Sequence, residues 1–173
     1  GLAELGAEVA QFPTMRVIKP ADGESLRRAV READSYDWIV FTSVNGVQRF
    51  WAELRAAGKD TRSLCGVSLC AIGPATAAAI ELEGAQADLV PGEFVAEGVI
   101  AALHEAGELQ GQRVLLPRAE QARSVLPRAL RESGAEVDEV IAYQTVLDGA
   151  GADDIRRRLQ EGRVDLITFT ASS

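Results

Sequence analysis

The sequence predicts an α/β fold, built as two similar domains with parallel sheets flanked by helices, and three observations carry that prediction. Short apolar runs of strand length alternate with stretches of helical spacing. Those runs are apolar on both faces, as strands covered by helices on both sides must be. Segments of the chain also recur at one fixed offset, the mark of a duplicated unit.

The strand-length runs are Trp38–Thr42, Val67–Ile72, Ala87–Val90, Val114–Leu116, Val137–Tyr143 and Asp165–Thr170. Helical spacing is clearest in Val47, Phe50, Trp51 and Leu54, and again in Val95, Val99, Ile100 and Leu103. Gly58, Gly84, Gly107 and Gly134 each follow a helical stretch, where a left-handed cap is wanted.

The repeat has two parts. Leu2-Ala3-Glu4-Leu5-Gly6-Ala7-Glu8-Val9 matches Leu130-Arg131-Glu132-Ser133-Gly134-Ala135-Glu136-Val137, and Asp37-Trp38-Ile39-Val40-Phe41-Thr42-Ser43 matches Asp165-Leu166-Ile167-Thr168-Phe169-Thr170-Ala171. Residue 2 pairs with 130 and residue 37 with 165, the same ungapped offset of 128 in both cases. A helix–glycine–strand junction could arise twice independently, but a shared register argues for two related α/β units. On this reading residues 20–140 form one whole domain. Residues 1–12 and 148–173 are parts of a second, discontinuous and incomplete one, and residues 13–19 and 141–147 form a two-stranded connector. Domains joined in that way can hinge about a cleft, which is where an active site is expected.

Composition narrows the function. The 173 residues are 47% hydrophobic and 25% charged, with mean hydropathy near zero, an ordinary globular balance. Net charge is −8, and the one basic cluster, Arg156-Arg157-Arg158, sits beside Asp153 and Asp154 in a helical pattern. That speaks against nucleic acid as a partner. No apolar run reaches the roughly 18–20 residues that cross a bilayer, so no membrane partner is expected either. Cys65 and Cys70 read as small buried or half-buried thiols of a reducing cytoplasm, and His104 as a surface histidine. The sequence holds no nucleotide-binding glycine motif, zinc-binding HExxH, CxxC or GxSxG, and suggests neither metal nor organic cofactor.

Strand-to-helix junctions rich in small and polar residues are the candidate chemistry. They are Phe41-Thr42-Ser43-Val44-Asn45-Gly46-Val47, Ala71-Ile72-Gly73-Pro74-Ala75-Thr76-Ala77-Ala78, Leu116-Pro117-Arg118-Ala119-Glu120 and the start of a fourth, Thr170-Ala171-Ser172-Ser173. In a parallel sheet all such junctions fall at the carboxyl edge, where open α/β folds bind ligands. Each also offers the free N–H groups of a helix start, which favour an anion. Gly73 permits close approach, Pro74 suits the first helical position, and Thr76 adds a hydroxyl. Ser43 and Thr76 can equally be helix caps and no more. Tyr143 stands at a strand end, where its phenol can either serve a cleft as a proton donor or pack a connector against a domain.

Taken in order, these segments resemble the uroporphyrinogen-III synthase family. Trp38-Ile39-Val40-Phe41-Thr42-Ser43 with Asn45, Val47 and Phe50 is similar to the family's "FTSxNxVxxF" strand and helix, and Ala71-Ile72-Gly73-Pro74-Ala75-Thr76-Ala77 to its "AIGxxTA". Pro91 with Ala96-Glu97-Gly98-Val99 resembles its "P…AEGL", and Leu116-Pro117-Arg118, Leu126-Pro127, Leu130, Gly134, Val137 and Tyr143-Gln144-Thr145 its "PR…LPxxLxxxGxxV…YxT". Ile167–Ser173 resembles the "FTSxS" of the other domain, while the family's opening strand with its Thr-Arg segment is absent.

The resemblance implies two α/β domains on a two-stranded ladder and a cytoplasmic, monomeric, cofactor-free lyase. Its substrate would be hydroxymethylbilane, received from the preceding synthase, which it would cyclise with loss of water and inversion of ring D through a spiro intermediate. Tyr143 would then be the proton donor. Thr42, Ser43, Asn45, Gly73, Thr76, Ala77, Arg118, Ser172 and Ser173 would bind the substrate's carboxylates. Because the bilane also closes unaided to the uninverted ring, the demand is for geometry more than for a strong nucleophile. Neutral backbone donors would also reconcile an acidic protein with a polyanion, since local dipoles dominate at contact distance. The alternatives are a non-catalytic sensor of the same fold, or a flavodoxin-like or periplasmic-type anion binder, which would want a phosphate loop or an export signal.

Overall fold

In the computed structural model, which describes residues 1–168, five strands form one sheet in the order β1-β5-β4-β2-β3. They span Met15–Ile18 (β1), Trp38–Phe41 (β2), Ser68–Ala71 (β3), Arg113–Ala119 (β4) and Glu136–Leu147 (β5). The helices are Glu24–Arg31 (α1), Val44–Ala56 (α2), Pro74–Leu82 (α3), Ala96–Ala106 (α4), Val125–Glu132 (α5) and Ala152–Gln160 (α6). The pairs β2–β3, β2–β4 and β4–β5 are parallel, as the doubly apolar runs predicted. The chain divides into two compact units, Val17–Thr145 and Gly1–Arg16 together with the chain from Val146 onward.

Within Val17–Thr145 the alternation of each strand separates two cores. Ile39 and Phe41 of β2, Leu69 and Ala71 of β3 and Leu115 of β4 join one cluster with Leu26, Val47, Phe50, Trp51 and Ile80. Val40, Cys70, Val114 and Leu116 point the other way, to Val99, Leu103, Leu126 and Leu130. So α1, α2 and α3 cover one face, and α4 and α5 the other. The first core centres on Phe41, Phe50 and Trp51, with ring centroids 5.3–5.5 Å apart and all three at most 2% exposed. Burying each such ring contributes about 1.5–3 kcal/mol. Burial pushes the Cys70 thiol up to about 12, so it packs as a small apolar side chain, whereas Cys65 is exposed.

Several expectations are corrected. Ala87–Val90 is no strand: only Leu89 bridges to Cys70, and the Asp88 carboxylate accepts from Leu69 N–H at 2.7 Å where a strand would have supplied a carbonyl. Of Asp165–Thr170, residues 165–168 are not a strand; no neighbouring strand pairs with them, and Leu166 and Ile167 stay exposed. The other two residues lie outside those described. β4 outruns Val114–Leu116, so Pro117 and Arg118 sit in the strand and not in a junction. Proline is tolerated there because β2 pairs with β4 only through Leu115, leaving no ladder bond for the missing N–H on that side. Tyr143 is likewise interior to a continuous twelve-residue β5. Of the four predicted cap glycines, Gly58, Gly84 and Gly134 are left-handed, but Gly107 leaves α4 extended.

Candidate functional site at the carboxyl edge of the sheet

The strand order fixes where a ligand site can form. From β2 the chain moves outward to β3, then crosses back over β2 to β4 and on to β5. Connections leaving β2 and β4 therefore go to opposite faces, α2 on one and α5 on the other, and a crevice opens outside their carboxyl ends. At that switch point lies a pocket of about 260 Å³. Its floor is Ile72 and Leu116, its sides the first turns of α4 and α5, and Thr42 and Arg118 reach its edge.

On the α2 face of the same edge, Ser43 caps α2: its Oγ accepts from Gly46 N–H at 3.1 Å. Gly46 is required there because a Cβ would stand 2.9 Å from the Pro117 carbonyl oxygen. The same Ser43 Oγ shares a hydrogen bond of 3.0 Å with Tyr143 Oη. What brings the phenol to the serine is a break in the β4–β5 register. Arg118 pairs with Ile141 and Ala119 with Tyr143, so Ala142 is skipped. Ala142 and Tyr143 consequently face the same core, although strict alternation would set them on opposite sides. Ser43 is thus a helix cap, and it also bonds the Tyr143 phenol, a link that the sequence did not suggest.

The remaining predicted residues are distributed as follows. Gly73 is the N-cap of α3, Pro74 its first residue, and Thr76, buried, its third. Ala77 lies half-buried in the same turn, and its N–H donates to the Gly73 carbonyl. The Phe94 ring lies over Gly73, 3.1 Å from where a Cβ would be. Asn45 is half-buried in the first turn of α2. Arg118 is buried, its guanidinium donating to Glu139 at 2.7 Å and to the Arg123 carbonyl. Glu139 is further engaged by Arg131 at 2.8 Å. That network ties β4 to β5 and to the turn before α5, and Arg118 also lines the pocket. Ser172 and Ser173 lie outside the described residues.

Residues not predicted from sequence to belong to a site also line the pocket, among them Val95, Glu97, Ala122, Arg123, Val125 and Leu126. Glu97 and Leu126 fall in segments that carry the family resemblance, and the others are marked only by their place at or just before the starts of α4 and α5. His104 is exposed and bonded to Ser133, and the arginines of α6 pair with Asp153, Asp154 and Glu8, as a solvated face would. Among the described residues no cluster of histidine, cysteine and carboxylate could hold a metal, and no helix is long and apolar enough to cross a membrane.

Fold and site together define an open α/β protein in which β2 to β5 run parallel and a pocket lies at the switch point between β2 and β4. Comparison with known proteins is more specific. The family model described as "Uroporphyrinogen-III synthase HemD" matches residues 1–173, and the chain belongs to the uroporphyrinogen-III synthase family. It is 38% identical over 168 residues to a putative uroporphyrinogen-III synthase of Methanothermobacter thermautotrophicus, covering 96% of this chain and 65% of that one. With the uroporphyrinogen-III synthase of Synechococcus elongatus it shares 32% over 173 residues, 99% of this chain and 64% of that protein. A crystal structure of a mutant uroporphyrinogen III synthase from Thermus thermophilus superposes with a TM-score of 0.65. At 23% identity, over 94% of this chain and 63% of the other, that likeness supports the fold alone. The chain thus spans somewhat under two thirds of these relatives' length.

Proposed function

We propose that this chain supplies the carboxyl-edge half of a uroporphyrinogen-III synthase. In this reading the protein closes hydroxymethylbilane to the macrocycle with ring D inverted and releases water. The carrying observation is the Tyr143–Ser43–Gly46 hydrogen-bond chain at the carboxyl edge, in a chain that matches the family along its whole length. Expulsion of the ring A hydroxyl as water calls for a proton donor, and a phenol oriented by a serine is suited to give one in an otherwise apolar setting. The starts of α2 and α3, with Asn45, Gly73, Thr76 and Ala77, offer backbone donors to the substrate's carboxylates without adding charge. Thr42 reaches the crevice flanked by α4 and α5. Arg118 acts at one remove, by fixing the strand that carries the pocket floor. Neither relative's name speaks for the sensor alternative.

The test is incubation of the protein with freshly generated hydroxymethylbilane, followed by separation of type I and type III rings. The expected product is type III, and a product containing only type I would overturn the assignment. In single-turnover experiments Tyr143→Phe is expected to slow ring closure by about 10²-fold, within the range general acids supply. An unchanged rate would remove Tyr143 from the chemistry.

A further inference from the structure

The switch-point pocket has a composition that selects its occupant. Its walls are apolar: Ile72 and Leu116 below, Val125 and Leu126 at the side. At its rim are two exposed residues of opposite charge, Glu97 on α4 and Arg123 just before α5. Among the described residues neither has an ion pair or side-chain hydrogen bond, whereas Arg118 beside them bonds Glu139 and the Arg123 carbonyl. An acid and a base that line one small cavity, and yet leave each other alone, suit a ligand bearing both a donor and a carboxylate. The volume, about 260 Å³, takes one five-membered ring with a short arm and excludes a whole tetrapyrrole.

We infer that this pocket holds a single pyrrole ring of the linear substrate, with its N–H bound by Glu97 and one carboxylate arm by Arg123. The inference rests on the proposed tetrapyrrole chemistry and gives that site a specific grip. A pyrrole N–H is a donor that Glu97 can satisfy, and a propionate is the partner a guanidinium binds best. Apolar walls take the ring faces. Holding one ring fixed restrains which end of a flexible chain can turn over, and so bears on the isomer made. Glu97 and Arg123 are therefore positioning and specificity residues, outside the proton-transfer step.

The test uses two small probes, pyrrole-3-propanoate and its N-methyl analogue, titrated into the protein by ligand-observed NMR. The parent probe is expected to bind, and the N-methyl analogue at least 5-fold more weakly. Val125→Trp, which fills the pocket from a half-exposed position, is expected to weaken binding at least 10-fold. Arg123→Gln is expected to weaken the parent probe about 5-fold, and Glu97→Ala, which removes the acceptor, to erase the preference over the N-methyl analogue. In the bilane assay the same three variants are expected to raise the type I share of product. Wild-type protein that fails to bind the parent probe, or Val125→Trp that binds it as well as wild type, overturns the inference. Type III product formed equally by wild type and Val125→Trp, alongside unchanged probe binding, sinks the pocket and leaves the synthase reading standing. Probe binding lost in Val125→Trp, alongside only type I product from wild type, does the reverse.

Discussion

At the scale of single residues, Ser43 carries two duties, of which the sequence suggests only the first. As N-cap it satisfies the Gly46 N–H, and as hydrogen-bond partner it orients the Tyr143 phenol. Ser43→Ala removes both and should cost about 1 kcal/mol of stability, the usual worth of such a cap. Urea denaturation would check this, the midpoint falling while the slope stays constant. Its residue type and its place before an apolar helix marked Ser43 from the start. Arg123 carried no comparable mark, and Glu97 only its place in the Ala96-Glu97-Gly98-Val99 segment, where an acid at a helix start usually only complements the dipole. Only their shared cavity and lack of partners set them apart.

At the scale of elements, sheet edges and register decide more than propensity does. Residues 87–90 have a strand's composition but only one bridge, and the Asp88 carboxylate completes the edge of β3 by accepting from Leu69 N–H. Asp88→Ala should leave that buried-edge donor unmet and cost about 1–3 kcal/mol, again measured by denaturant unfolding. A loss below a few tenths would mean that water replaces the carboxylate. The loop that follows is pressed onto α4 at Gly98, where a Cβ would stand 2.1 Å from the Glu93 carbonyl oxygen. The helices were legible because their apolar stripes repeat over several turns. The strand limits were not, since a strand ends where its neighbour ends, and that neighbour lies far along the chain.

At the scale of the whole molecule, every buried residue of the two core clusters falls between Leu26 and Tyr143. Helix α6, by contrast, buries none of its residues. Stability against opening follows buried apolar contact, so the two regions should exchange amide hydrogens on different scales. The amides of β2, β4 and α2 are expected to exchange only through global unfolding. Those of α6 should exchange orders of magnitude faster under native conditions, a contrast that hydrogen-exchange mass spectrometry reads directly. Equal protection in α6 and α2 would show that α6 is held by more than its own ion pairs.

The sequence by itself determined the α/β class, the parallel pairing, the two-faced burial and the helix-start residues of the carboxyl edge. These follow from local periodicity and residue type, which a chain displays before it folds. The tertiary structure alone decided the strand order, and with it the switch point between β2 and β4 where the pocket opens. It also decided the skipped Ala142 that turns Tyr143 toward Ser43, and the commitment of Arg118 to Glu139. Each depends on which distant segments become neighbours, and that is settled by packing between elements and not by any one of them.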